Sequence, residues 1–264
     1  MNTREFVFAA FDNKETKRIP VSFWFHFAPD RLFEESEEVL QKNIEGHRAY
    51  VKAFHPDFIK LMSDGYFTLP YPEIREIHTV TDLSRIKSGR AEEWISKQVN
   101  LVSTLVNSWQ KEIPAFYNIF APATYLKWLL EKQGVSFGAL VDENPSLVRD
   151  ALNEIAIDIA ELSRQVIAKG GADGIYLSAQ NIQDAHLTKE EYLSYIAPSE
   201  LTVLNAANEV SDYNILHICG YEGARNDLST YVDYPAKILN WAVTVEGVSL
   251  EEGKKLFGGR AVIG

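Results

Sequence analysis

Short apolar or aromatic runs alternate along this 264-residue chain with longer segments of helical periodicity, and that alternation restricts the fold more than any other feature. The runs are VSFWFH (21–26), FIKLMSD (58–64), AFYNIFA (115–121), GIYLSA (174–179), NILHICG (214–220), ILNWAV (238–243) and RAVIG (260–264). Most are continuous, as expected of strands covered on both faces in a parallel sheet flanked by helices. Between them, Asn144-Pro145 supplies an N-cap and a proline at the first helical position. Leu147, Ala151, Ile155, Ile159, Leu162 and Val166 then form one apolar stripe, which Gly170-Gly171 ends. Ser249 and Glu252 make a capping box before a short helix that stops at Gly258-Gly259. Segments 35–54, 124–133 and 189–209 also read as helical, the last broken or kinked at Pro198, and a helix over about 3–11 is expected to cover the bottom of a barrel.

Seven βα units in order predict an α/β fold of the TIM (β/α)8 type, a single domain over 1–264 with its last strand and helix missing. No GxGxxG or GxxxxGKS/T pattern follows any run, which removes the usual support for an open nucleotide-binding sheet. The balance of 26 Lys+Arg against 37 Asp+Glu gives a net charge of −11, with no basic tract, and argues against nucleic acid or an anionic membrane as partner. No apolar run approaches the roughly 18 residues that a membrane span needs. One cysteine, Cys219, cannot form an intrachain disulfide, and the opening Met-Asn-Thr-Arg-Glu has no apolar leader; both point to a reducing cytoplasm.

In a barrel the residues that close each strand face the mouth. Here they are His26, Asp64, Asn118, Ser178 with Gln180, His217 with Cys219, and Asn240 with Thr244. Residues i and i+2 of a strand face the same way, so His217 and Cys219 in His-Ile-Cys project together. A thiolate with an imidazole suits zinc, although the pair also reads as a core cysteine beside a hydrogen-bonded histidine, or as a Cys-His nucleophile pair. Asp64 reads either as an acid/base or orienting group or as a turn cap. His26 lies among Phe23, Trp24, Phe25 and Phe27 and reads as a substrate contact or as part of an aromatic wall, and Tyr125 as a phenol at the mouth or amphipathic packing.

Several segments in order resemble the uroporphyrinogen decarboxylase superfamily: RIPVSFWFHF (18–27), DFIKLMSDGYF (57–67), FAPATYL (120–126), GADGIYLS (171–178), LHICG (216–220) and the stretch from Asn240 to Gly264. The resemblance covers nearly the whole chain and implies a TIM-type barrel with one of two chemistries. These are cofactor-free decarboxylation of uroporphyrinogen in porphyrin biosynthesis, and zinc-dependent methyl transfer between corrinoids and thiols, as in methylcobamide:coenzyme M methyltransferases. Decarboxylases carry arginines in a stretch resembling PVWxMRQAGR, whereas PVSFWFHFAPD has none before Arg31. Asp64, Tyr125 and Ser178 do match decarboxylase active-site positions. His217 and Cys219 match the first two zinc ligands of the methyltransferase branch, whose second cysteine would be expected after Gly264.

The resemblance therefore implies a methyltransferase with zinc on His217 and Cys219, and Asp64, His26 and Tyr125 as catalytic residues. Ser178, Gln180, Asn118 and Asn240 would contact the substrate. The partners expected are a small-molecule substrate, a corrinoid protein and a second copy in a homodimer. The alternative is a metal-free decarboxylase of uroporphyrinogen or a related carboxylated substrate, in which Asp64 handles the proton.

Overall fold

The structure is a computed structural model and describes residues 2–181, 187–220 and 224–264. Helices α1 (Thr3–Phe11) and α2 (Glu37–Phe54) precede the first strand, β1 (Ile59–Leu61), and α3 (Glu92–Ser108) leads to β2 (Ala115–Phe120). Then come α4 (Pro122–Glu131), α5 (Phe137–Glu143), α6 (Pro145–Ala168) and β3 (Gly174–Ala179). The chain continues through α7 (Lys189–Tyr195), α8 (Ala197–Asn208), β4 (Ile215–Ile218) and β5 (Ile238–Trp241), and then through α9 (Val243–Glu246), α10 (Leu250–Leu256) and β6 (Ala261–Ile263). The six strands are parallel and pair in chain order, forming a curled, open half-barrel with β1 and β6 at its edges. Every strand therefore ends at the same rim.

Local sequence explains most of the boundaries. Asn2 and Ser249 make capping boxes, Ser36 accepts from the Val39 amide, and Asn144 accepts from Leu147 ahead of Pro145. The 189–209 segment divides into α7 and α8, with Pro198 in the first turn of α8, where its missing N–H costs no helical bond. The outer face of the sheet packs against the helices, and α6 buries Ala151, Ile155, Ile159, Leu162 and Val166 there. The inner face is filled at its base by Phe58, Phe116, Tyr176, Ile215 and Ile238, against Val7 and Phe11 of α1. That helix closes the bottom, as its position in the sequence suggests. Among the described residues, no helix is long and apolar enough to cross a membrane.

The run 21–26 departs from expectation. It forms no strand, so six strands are present among the described residues rather than seven. Side chains take its backbone donors: Val21 N–H donates to the Asp57 carboxylate (2.8 Å) and Phe23 N–H to the Tyr50 hydroxyl (2.8 Å). Its alternation is also only half-buried, with Val21, Phe23 and Phe25 on the exposed side and Trp24 turned inward. Conversely, α3 lies in a segment that its sequence pattern left unassigned, and its residues Trp94, Leu101, Val102 and Leu105 belong to the outer core.

Beneath the rim, the fully buried carboxylate of Glu200 on α8 is held by Tyr192 (2.7 Å) and Tyr234, and Tyr192 also meets the Tyr231 hydroxyl at 3.2 Å. Burial pushes the Glu200 acid up to about 7, opposed by the two phenol donors. A carboxyl whose folded value exceeds its unfolded value binds more protons in the native state, so its contribution is complete below about pH 4.5 and is lost as pH rises through 7. Urea unfolding of the wild type against Glu200→Gln should show the wild type losing relative stability, by up to a few kcal/mol, between pH 4.5 and 8. A difference that stays constant across that range would contradict the buried acid.

Candidate active site

The rim of the sheet carries the chemistry, because the interior face turns from apolar at its base to polar at the strand C-termini. Across β1 to β3, Asn118 Nδ2 donates to Ser63 Oγ (3.2 Å) and Ser178 Oγ donates to Asn118 Oδ1 (3.1 Å). Ser178 is paired in register with His217, and His217 with Asn240. Asn240 Oδ1 accepts from the Tyr176 hydroxyl (2.7 Å) and contacts His217 Nδ1, while Asn240 Nδ2 donates to the Ile263 carbonyl (3.1 Å). A polar belt thus crosses the half-barrel and brings together Asn118, Ser178, His217 and Asn240.

His217 is set up as a neutral donor. An amide oxygen at Nδ1 selects the tautomer protonated there, leaving the Nε2 lone pair available. Burial and the nearby Lys60 ammonium push its pKa down to about 3, against the hydrogen bond to Asn240. Cys219 follows the end of β4, is partly exposed and is a free thiol. Burial pushes its pKa up; Lys60 opposes that, and Glu246 adds to it. Glu246 comes close because residue 220 is glycine: a Cβ there would lie 2.0 Å from Glu246 Oε1.

At the other end of the belt, Asp64 is fully buried. Its Oδ2 accepts from the amides of Phe27 (2.6 Å) and Ala28 (3.1 Å), and its Oδ1 pairs with His26 Nδ1 at 2.8 Å. The following Gly65 turns at φ +94°, a conformation open to glycine. His26 has 39% of its side chain exposed, so the pair presents imidazole rather than carboxylate to the rim. Asp64 therefore anchors the Phe27–Ala28 backbone and orients His26 at once.

Two candidates remain, both buried. Tyr125 is fully buried, edge-on to Trp94 and Phe120, and burial raises its phenol above the ordinary range. Its hydroxyl has no well-formed hydrogen bond, as is also true of Gln180 Oε1, which is buried just beyond β3. One residue enters that the sequence pattern did not mark. Lys60, in the middle of β1, shares the inner face with Phe58 and is 5% exposed. Its ammonium lies 4.8 Å from the Trp24 ring centroid and 4.4 Å from that of Tyr176. Burial lowers its pKa to about 7. The available signal was a lone lysine within a run whose neighbours are buried on both faces.

The sequence profile of the uroporphyrinogen decarboxylase (URO-D) family matches residues 66–264, about three quarters of the chain. The chain belongs to that family. A comparison with curated proteins gives no significant match. Among solved structures, a methyltransferase from Methanosarcina mazei is similar with a TM-score of 0.67 and 14% identity, over 100% of this chain and 82% of that one. That likeness establishes a shared fold. For this URO-D family chain it makes the strand C-terminal rim, where the polar belt lies, the expected place of catalysis.

The two members of the His26–Asp64 pair should respond differently to truncation. Asp64→Ala leaves the buried Ala28 amide and the part-buried Phe27 amide without acceptors, at a cost of roughly 1–3 kcal/mol for a buried group. Thermal unfolding should show a Tm fall of about 6 °C or more, with faster amide exchange at Phe27 and Ala28. His26→Ala, losing a partly exposed pair, should cost under about 1 kcal/mol. Equal losses would refute the anchoring role.

Proposed function

We propose that this URO-D family enzyme transfers a methyl group between a corrinoid methyl carrier and a thiol, with zinc held by His217 and Cys219. The observation that carries the reading is the end of β4: an imidazole with Nδ1 engaged by Asn240, two residues before a free thiol that follows the strand. Those donors fit two positions of a catalytic zinc site, which takes three protein ligands and an open one. Among the described residues, no third His, Cys, Asp or Glu completes a cluster. Zinc bound there would supply Lewis acidity that lowers the pKa of a substrate thiol.

The protein's own residues prepare that chemistry. Asn240, fixed by Tyr176 and the Ile263 carbonyl, holds the His217 ring and its tautomer, and the depressed pKa keeps the imidazole unprotonated at neutral pH. Burial raises the Cys219 thiol, and the Lys60 charge offsets part of that. His26, oriented by Asp64, offers a polar group at the rim for positioning substrate. The surroundings also disfavour a porphyrinogen with eight carboxylates. Arg31, the first arginine after the 21–26 run, is tied to Glu34 and Glu38 (2.7 Å). The similar methanogen protein is itself named a methyltransferase.

Equilibrium dialysis against zinc, with methylcobalamin and a thiol as assay substrates, tests this directly. The wild type should bind one zinc per chain and methylate the thiol. Cys219→Ser and His217→Ala should each weaken zinc binding by more than about tenfold, since losing even an outer partner of a ligand costs that much. Unchanged zinc binding in Cys219→Ser would overturn the reading. So would uroporphyrinogen decarboxylation by the metal-free protein that Asp64→Asn abolishes.

A further inference from the structure

The loops that leave the strand rim border an apolar cavity that no step of the proposed chemistry uses. It measures about 390 Å3 and is lined by Leu32 and Phe33 from the loop after the 21–26 run, Phe67 from the loop after β1, and Trp128, Glu131 and Lys132 at the end of α4. Phe33 stands edge-on to Phe67 (5.7 Å between ring centroids, 81°) and to Trp128 (6.3 Å, 76°), and Phe67 stacks on Trp128 (5.5 Å, 13°). Phe120, closing β2, backs that stack at 4.7 Å from Phe67 and 4.6 Å from Trp128. The walls are therefore mutually packed rings, and Leu32, Phe33 and Trp128 each keep part of their apolar surface uncovered. Protein interiors leave few voids larger than a water molecule, and an apolar cavity of about 150 Å3 already admits a benzene-sized ring. The present space falls within the roughly 300–1,000 Å3 of small-molecule sites.

Two opposite charges stand at its mouth. Glu131 is exposed, and its one ion pair among the described residues is with Lys127, outside the lining, at 3.9 Å. Lys132 Nζ sits 3.6 Å from the Phe33 ring centroid and has no hydrogen bond or ion pair with any described residue. Side by side, the two residues offer one acceptor and one donor and leave no net charge at the mouth. A cationic ligand would be opposed by Lys132 and an anionic one by Glu131, whereas a neutral hydroxyl satisfies both, donating to the carboxylate and accepting from the ammonium. The ring-lined walls favour a flat ring over a puckered one, because aromatic pairs gain more than their area burial alone. We propose that this cavity binds an uncharged small phenol, its ring against Phe33 and Trp128 and its hydroxyl at Glu131 and Lys132. Phe67, which also lies edge-on to His26 at 5.9 Å, puts the site beside the His26–Asp64 end of the rim. It uses neither His217 nor Cys219 and does not rest on the methyl-transfer reading.

Isothermal titration with size-matched probes tests the site. The wild type should bind 4-methylphenol one to one, at least about threefold more tightly than 4-methylcyclohexanol, which keeps the hydroxyl but loses the flat ring, and than toluene, which keeps the ring but loses the hydroxyl. Phe33→Ala should weaken 4-methylphenol binding by about fivefold or more. Glu131→Ala combined with Lys132→Ala, which alters only exposed side chains, should keep the wild-type thermal transition and bind 4-methylphenol no better than toluene. Equal binding of the three probes by the wild type, no binding of 4-methylphenol at millimolar concentration, or an undiminished preference for it in the double variant would overturn the proposal. Binding of N-acetyl-tryptophanamide without binding of 4-methylphenol would also overturn it, assigning the cavity to an aromatic side chain of a partner protein.

Discussion

A parallel sheet whose strands follow one another in chain order must fill its own concave face, because every connecting helix returns on the convex side. The rest of this structure follows from that constraint. At the base, Phe58, Phe116, Tyr176, Ile215 and Ile238 meet α1 and exclude water. Two residues further along the same strands, the inward positions are Lys60, Asn118, Ser178, His217 and Asn240, each buried, with Asn118 bonded to Ser178 and His217 to Asn240 in two groups that strand register sets side by side. Alternation thus places the chemistry directly on top of a dry apolar floor. Charges and dipoles at that level act on a ligand with little screening.

The belt also explains why the two ends of the site differ. Asp64 is committed to backbone amides, so its charge serves the chain trace from Phe27 to Ala28 and reaches the rim only through His26. On β4 and β5 the arrangement is reversed: the amide of Asn240 is spent on orientation, while His217 Nε2 and the Cys219 thiol stay uncommitted. A side chain whose bonding capacity is used up inside the fold is a support, and one with capacity left over is available to a ligand.

Much of this was legible in the chain itself. Continuous apolar runs marked the six strands, capping residues located α6 and α10, and the polar residues closing each run include most of the belt. The run 21–26 was misleading because local composition cannot show which partner takes a backbone donor; here Asp57 and Tyr50 do, and the segment stays out of the sheet. Lys60 escaped for a related reason. It stands inside a run rather than at its end, and only the fold reveals that the inner face of β1 carries it up to Trp24, Tyr176 and His217.

Charge balance narrows the ligand further than fold similarity does. The chain carries a net charge of −11, so its outer field disfavours polyanions approaching the rim. The arginines flanking the first run are already paired, Arg18 with Asp57 and Arg31 with Glu34 and Glu38, and Lys60 is a buried cation without an ion-pair partner among the described residues. A ligand with many carboxylates would meet repulsion outside and too few partners inside, each unpaired carboxylate then carrying its full desolvation cost.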